Sequence, residues 1–238
     1  MGEIVIPAKF NAHKIYKKMM FLNPYRNAGG GGGTDLIFTI DTSLGDGVNG
    51  FTIQTVESTS YDADWGDGVI TSGHTGDASH IYTNGGIYQI KVSGTLPRPY
   101  NTIEDNARKI VSIDNWGNMG YSTNLTKMYQ FCHNLVSIAE DAEFLNSVIS
   151  GYAMFQRCQL TTLPEIVKFS SLARGNYLLT FGKINTPRYS QLLIDINDTN
   201  PNNDVLLRME KSKYNTAGET ARNALIARGW TFNDGGLE

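Results

Sequence analysis

The sequence predicts a multidomain, β-rich protein: a small antiparallel β-sandwich, then a short α/β repeat solenoid, then an α/β C-terminal cap. Three observations carry this. Short runs of alternating polarity between Thr34 and Tyr100 are broken by turn residues, with no helical period between them. From about Ala107 the period changes, and the related tetrapeptides IVSI, LVSI and LTTL begin at Ile110, Leu135 and Leu160, 25 residues apart. After about Asn185, helix and strand patterns alternate to the C-terminus.

The elements follow in order. Residues 1–33 hold five Lys/Arg against one Glu, whereas the remainder holds 15 basic against 22 acidic residues. Residues 1–28 mix basic side chains with large apolar ones, too few to form a core alone but enough to cover a surface on another protein. The segment therefore reads as a docking element. Phe10, Ile15, Met19, Met20, Phe21 and Tyr25 would meet an apolar partner surface, and Lys14, Lys17, Lys18 and Arg26 its acidic groups. Residues 29–33 are five glycines, a linker whose span as a flexible coil is only ~12 Å.

Residues 34–100 supply the strands LIFTI (36–40), GFTIQT (50–55), YDADW (61–65), HIY (80–82) and IYQIKVSG (87–94). In the last of these, Ile87, Gln89 and Lys91 point to one face and Tyr88, Ile90 and Val92 to the other. Residues 101–184 form the repeat region, in which MYQFC (128–132) answers MFQRC (154–158) and Leu178, Leu179 and Phe181 mark a weaker third copy. No unit buries its apolar face alone, and stacking supplies a continuous core. In the cap, 185–238, Pro187 opens a helix over 188–197, VLLRME (205–210) reads as a strand, and a helix from Thr216 to Arg228 stops at Gly229 before a last strand, WTFNDGG.

Composition bounds the chemistry. A formal charge of −3 argues against a general nucleic-acid binder, and no apolar run reaches the ~18 residues of a membrane span. The start, MGEIVIPAKF, lacks a charged region followed by an apolar one, so no secretory leader is expected. Asp62, Asp64 and Asp67, around DWGDG, offer hard oxygen ligands for calcium. Counted from Asp62, however, positions 5, 6 and 12 are Gly66, Asp67 and Gly73, so an EF-hand loop fails at three places. Asp67-Gly68 reads instead as a hairpin turn between YDADW and VITSG.

His13, His74, His80 and His133 form no i, i+4 ligand pair, and His80 is expected to bond the sandwich framework. Glu140, Asp141 and Glu143 invite a glycosidase reading, but three acids on one connecting segment fit a solvated face better. Cys132 and Cys158 occupy equivalent repeat positions. If those positions are helical, stacked units lie about 10 Å apart, beyond the ~7 Å reach of a disulfide, so both read as buried thiols. No catalytic residue, metal or cofactor is expected.

Asp64-Trp65-Gly66-Asp67-Gly68, then His80-Ile81-Tyr82, then Gly86-Ile87-Tyr88-Gln89-Ile90-Lys91-Val92 resembles the PKD domain family over residues 34–98. That implies an immunoglobulin-like sandwich, held together by these residues and used as a surface spacer or adhesion unit. The repeats resemble BspA-like leucine-rich repeats, whose units carry M-F-x-x-C-x-x-L. Met154-Phe155-Gln156-Arg157-Cys158 with Leu160 departs by one residue after the cysteine, and Met128-Tyr129-Gln130-Phe131-Cys132 with Leu135 has Tyr for Phe.

The combined order is similar to structural proteins of tailed bacteriophages and prophages, in particular fibre, tail-tip or capsid-decorating proteins. This resemblance implies a non-enzymatic virion protein, assembled in the host cytoplasm and docked through residues 1–33 on other capsid or tail proteins. Tyr100, Trp116 and Tyr121 are the expected contacts where a host surface glycan or protein is bound. Neither nucleic-acid binding nor membrane insertion is expected, and such fibres are often trimeric, which leaves a homo-oligomer open. The alternatives are pure decoration, a carbohydrate-binding or carbohydrate-active surface protein, and a bacterial adhesin, which would need export.

Overall fold

Strands dominate because the alternating runs find partners. The computed structural model describes residues 34–238; the expected docking segment and glycine linker lie outside the described residues. β1 (Leu36–Asp41) turns Leu36, Phe38 and Ile40 inward. β2 (Gly50–Ile53) does the same with Phe51 and Ile53. β3 (Ser60–Asp64), β4 (Ile70–His74), β5 (Ala78–Ile81) and β6 (Ile87–Thr95) follow. In β6, Ile90 and Val92 are buried while Ile87 and Lys91 are exposed, as the period-two alternation predicts.

After α1 (Glu104–Ala107) comes β7 (Ile110–Asn115). The main sheet is five-stranded and antiparallel, in the order β4-β3-β6-β1-β7; β2 and β5 form a second, two-stranded sheet. The two meet through Phe38 and Phe51, whose ring centroids are 5.7 Å apart.

β7 corrects one expectation. IVSI, read as the head of the first repeat, is a sheet strand paired antiparallel with β1, yet its other edge bonds the next chain segment in parallel. Val136 N–H donates to Val111 O at 3.3 Å and Ile113 N–H to Ser137 O at 3.1 Å. All six residues of β7 except Asp114 and Asn115 are buried, as suits a strand covered on both faces.

Beyond β7 the chain winds into stacked coils joined by backbone hydrogen bonds. Leu125, Lys127, Tyr129 and Phe131 donate to the carbonyls of Ser150, Tyr152, Met154 and Gln156 at 2.8–2.9 Å. Gly151, Ala153, Phe155 and Arg157 donate to Arg174, Asn176, Leu178 and Thr180 at 2.9 Å. The weak third copy is thus a complete coil, in register with the first two.

The expected α/β character is reduced. Among the described residues, the helical segment between 116 and 185 is one 3-10 turn, Glu143–Ser147. The outer connections are short, and 161–169 contains Pro164, so a turn fits where an α-helix has no room to propagate.

The cap follows its expected order. In α2 (Thr186–Thr199), Asn185 Oδ1 accepts from Arg188 N–H at 3.0 Å, and Pro187 sits in the first turn. β8 (Leu206–Arg208) continues the coil stack through a bridge to Gly175 and pairs in parallel with β9 (Thr231–Asn233). Between them lies α3 (Thr216–Ala227), capped by Asn215.

Arg188 pins the cap to the coils. Its buried guanidinium donates to the carbonyls of Leu163, Pro164 and Val167 and lies 3.5 Å from Asp195. Trp65, Trp116 and Trp230 are fully buried, one in the sheets, one beside β7 and one in the cap. Each buries roughly 150–250 Å², worth about 4–6 kcal/mol gross at ~25 cal/mol per Å².

The β3–β4 turn gives a test of backbone geometry. Gly66 and Gly68 both have positive φ, +82° and +93°, but a Cβ at Gly66 would run into the backbone oxygen of Gln89, whereas one at Gly68 meets open space. Gly68→Ala is expected to cost about 1–2 kcal/mol, the left-handed penalty alone. Gly66→Ala should cost more than ~3 kcal/mol, because a strand backbone must move as well. Chemical denaturation of the two variants checks the difference; equal losses would refute it.

Candidate functional site on the coil face

DWGDG bonds its own framework. Asp64 Oδ1 accepts from Gly66 N–H at 3.0 Å, Asp67 Oδ1 from Val69 N–H at 3.1 Å, and Asp62 Oδ1 from Gly73 N–H at 2.8 Å. Asp67 Oδ2 meets His80 Nε2 at 2.7 Å. The His80 ring stacks on Trp65, with centroids 5.2 Å apart, and meets Tyr82 edge-on at 4.6 Å, while the Tyr82 hydroxyl donates to Trp65 O at 3.0 Å. Among the described residues, no group of three His, Cys, Asp or Glu side chains is placed to hold a metal ion.

The three expected ligand contacts do not form one surface. Trp116 is a correction: it is fully buried, edge-on to Tyr129 at 5.7 Å and Phe144 at 5.0 Å, because its indole fills the joint between β7 and the first coil. Tyr121 is half-buried, stacked on Phe144 at 4.0 Å with its hydroxyl donating to Trp116 O at 2.6 Å; burial pushes its pKa up. It borders an open hollow of about 530 Å³ shared with Gly117, Asp141 and Ser147.

Asp141, one of the acidic trio, accepts from the Trp116 and Gly117 N–H groups there, at 2.9 and 3.2 Å. Tyr100 is half-buried and packs under Arg98 at 5.4 Å. The docking candidates Phe10, Lys14, Ile15, Lys17, Lys18, Met19, Met20, Phe21, Tyr25 and Arg26 lie outside the described residues.

The cysteines are buried and free, but the spacing argument for them needs correction. Their positions are turns bonded directly coil to coil, so equivalent residues lie about one strand spacing, ~4.8 Å, apart. Cys132 lies against Cys158, and the Cys158 thiol donates to Tyr129 O at 3.2 Å. Burial first, then contact with Cys158, pushes the Cys132 thiol up.

A different surface gathers chemistry-bearing side chains. Asn124, Ser150 and Arg174 are linked by successive parallel bridges. Lys127, Ala153 and Tyr177 hold equivalent positions on three coils, each with a left-handed backbone, φ 62°, 54° and 57°. The Arg174 guanidinium lies over the Tyr152 ring at 4.3 Å, and Arg208 over Tyr177 at 4.2 Å. Tyr152 and Tyr177 meet edge-on at 5.8 Å. Alongside, Arg157 lies over both Phe131 at 5.2 Å and Phe181 at 5.7 Å.

No family model, curated protein or solved structure matches this chain. The coil face therefore rests on its own geometry. A sequence signal for it existed: the stretches 123–131, 149–157 and 173–181 contain Lys127, Arg157 and Arg174 and no acid, within a body of acidic excess.

Two measurements follow. Burial alone would raise the Asp67 carboxyl, but the hydrogen bonds from His80 and Val69 N–H outweigh it and hold the group below the usual range. Stability from a depressed carboxyl is present above its unfolded value, near pH 4, and fades as pH falls through the folded one. Asp67→Asn should therefore flatten the fall in melting temperature below about pH 4; an unchanged slope would refute the role. Thiol titration of the native chain should show no fast-reacting group, and two per chain after unfolding in guanidinium; a fast native thiol would contradict the burial of the pair.

Proposed function

We propose that the protein is a non-enzymatic structural component of a tailed-phage particle, docked through residues 1–28 and presenting its folded body for host attachment or decoration. On this reading residues 34–98 are a PKD-like sandwich and the coils a short leucine-rich-repeat array of the BspA-like kind. The observation that supports it most is how the motif side chains are used. Asp64, Asp67, His80, Tyr82 and Asp141 all bond the framework, leaving the outward chemistry to an exposed face.

A body whose sheet and coils share β7 presents such a face on rigid backbone, which suits display and recognition. Docking is assigned to residues 1–28 by composition: they unite basic side chains with large apolar ones that a short segment cannot bury by itself.

Deleting residues 1–28 separates docking from folding. The truncated protein should keep the circular dichroism and melting temperature of the full chain and be absent from purified particles. Incorporation at the level of the full chain would overturn the docking assignment.

A further inference from the structure

We propose that the coil face carrying Lys127, Arg174 and Arg208 binds an acidic polysaccharide through its carboxylate groups. The inference deepens the display reading and rests on it for the ligand's location at a host surface; the binding chemistry stands on the face alone.

The first ground is charge segregation. The body from residue 34 onward holds 15 basic against 22 acidic residues. The coil stretches 123–131, 149–157, 173–181 and 206–211 nevertheless hold five cations and a single acid, Glu210, whose Oε2 accepts from Phe181 N–H at 3.3 Å. Arg157 lies 3.6 Å from Glu104 of α1, which leaves Lys127, Arg174, Arg208 and Lys211 as the cations of the patch without an ion-pair partner among the described residues. Cations that ordinary surface design would intersperse with acids are gathered on adjacent coils, and such a patch attracts a polyanion.

The second ground is how the guanidinium groups are held. Arg174 and Arg208 lie over the rings of Tyr152 and Tyr177, 4.3 and 4.2 Å from the centroids, so each cation is placed against an aromatic face before any ligand arrives. Among the described residues neither group has a hydrogen-bond or ion-pair partner, and Arg208 Nε is buried without one. Arginine forks pre-set in this way match planar carboxylates in a bidentate manner.

The third ground is what lies between the cations. Thr126, Ser150 and Asn176 are half-buried and offer hydroxyl and amide groups, with Thr126 Oγ1 and Ser150 Oγ 3.1 Å apart. These partner sugar hydroxyls. Each coil advances the face by about one strand spacing, ~4.8 Å, close to the length of one pyranose, so a polysaccharide laid across the coils meets groups in step with its residues.

Two other polyanions fit less well. Single-stranded nucleic acid gains affinity by stacking bases on open aromatic faces, and here guanidinium groups lie over Tyr152 and Tyr177. An acidic protein partner of ordinary affinity needs an interface above ~1,000 Å², whereas this strip is only a few coils long.

The test uses the full chain and four immobilised probes: polygalacturonate, neutral dextran, polyglutamate and an oligodeoxythymidylate. The expected result is salt-sensitive binding to polygalacturonate, none to dextran, and weaker binding to the other two. Arg174→Gln should weaken it about tenfold, the scale of one lost charge-assisted partner, and Arg174→Gln with Arg208→Gln further. Lys168→Gln, an exposed cation outside these coil stretches, should change nothing.

Since Arg174 is exposed, its variant should keep the melting temperature of the parent, which separates lost binding from lost fold. No binding to polygalacturonate, equal losses in the control, or preference for polyglutamate or the oligonucleotide would overturn the assignment. None of these outcomes bears on particle incorporation, which judges the display reading separately.

Discussion

The structure depends on one arrangement: the double pairing of β7. Its antiparallel edge completes the five-stranded sheet beside β1, and its other edge offers Val111 O and Ile113 N–H to the first coil. A strand with one free edge would expose unpaired backbone groups, a liability that folds normally blunt or cover. Here the edge templates the next turn of chain, and each coil then templates another until β8 closes the series against β9. The buried side chains of sheet, coils and cap accordingly form one continuous core.

That templating explains a backbone feature that would otherwise be costly. Lys127, Ala153 and Tyr177, and again Phe131, Arg157 and Phe181, hold left-handed φ values between 54° and 73° without being glycine. Each such residue costs on the order of 1–3 kcal/mol, and it persists only where surrounding bonds over-determine it. Here the amides of Lys127, Phe131, Ala153 and Arg157 donate to the neighbouring coil. The same local backbone repeats from coil to coil, so side chains at equivalent positions come into line. The cation and aromatic face is therefore a product of backbone register as much as of residue choice.

Legibility in the sequence followed the range of the interaction involved. The β3–β4 turn is legible directly, because Asp64 and Asp67 bond amides two residues on and Gly68 needs only its own positive φ. The cap helices were readable for the same reason: Asn185 and Pro187 start one, and Gly229, with φ of 84°, follows the other. The third coil was harder to see, since Gly182 stands where the first two units have cysteine and its identity rests on inter-coil bonds. The burial of Trp116 is not legible locally, because the rings that enclose it, Tyr129 and Phe144, arrive from residues 13 and 28 positions further along the chain.

The sequence by itself determined the strand-rich character, the turn role of DWGDG, the repeat spacing and the capping order, because each is written in local periodicity or in residues within one turn of each other. The tertiary structure alone decided that IVSI belongs to two layers at once, that the repeats stack by direct backbone bonding, and that Arg174 and Arg208 come to rest on Tyr152 and Tyr177. Those pairs are separated by 22 and 31 residues in the chain. Only the stacking distance between coils brings them together, and that distance is set by hydrogen-bond geometry common to all sequences.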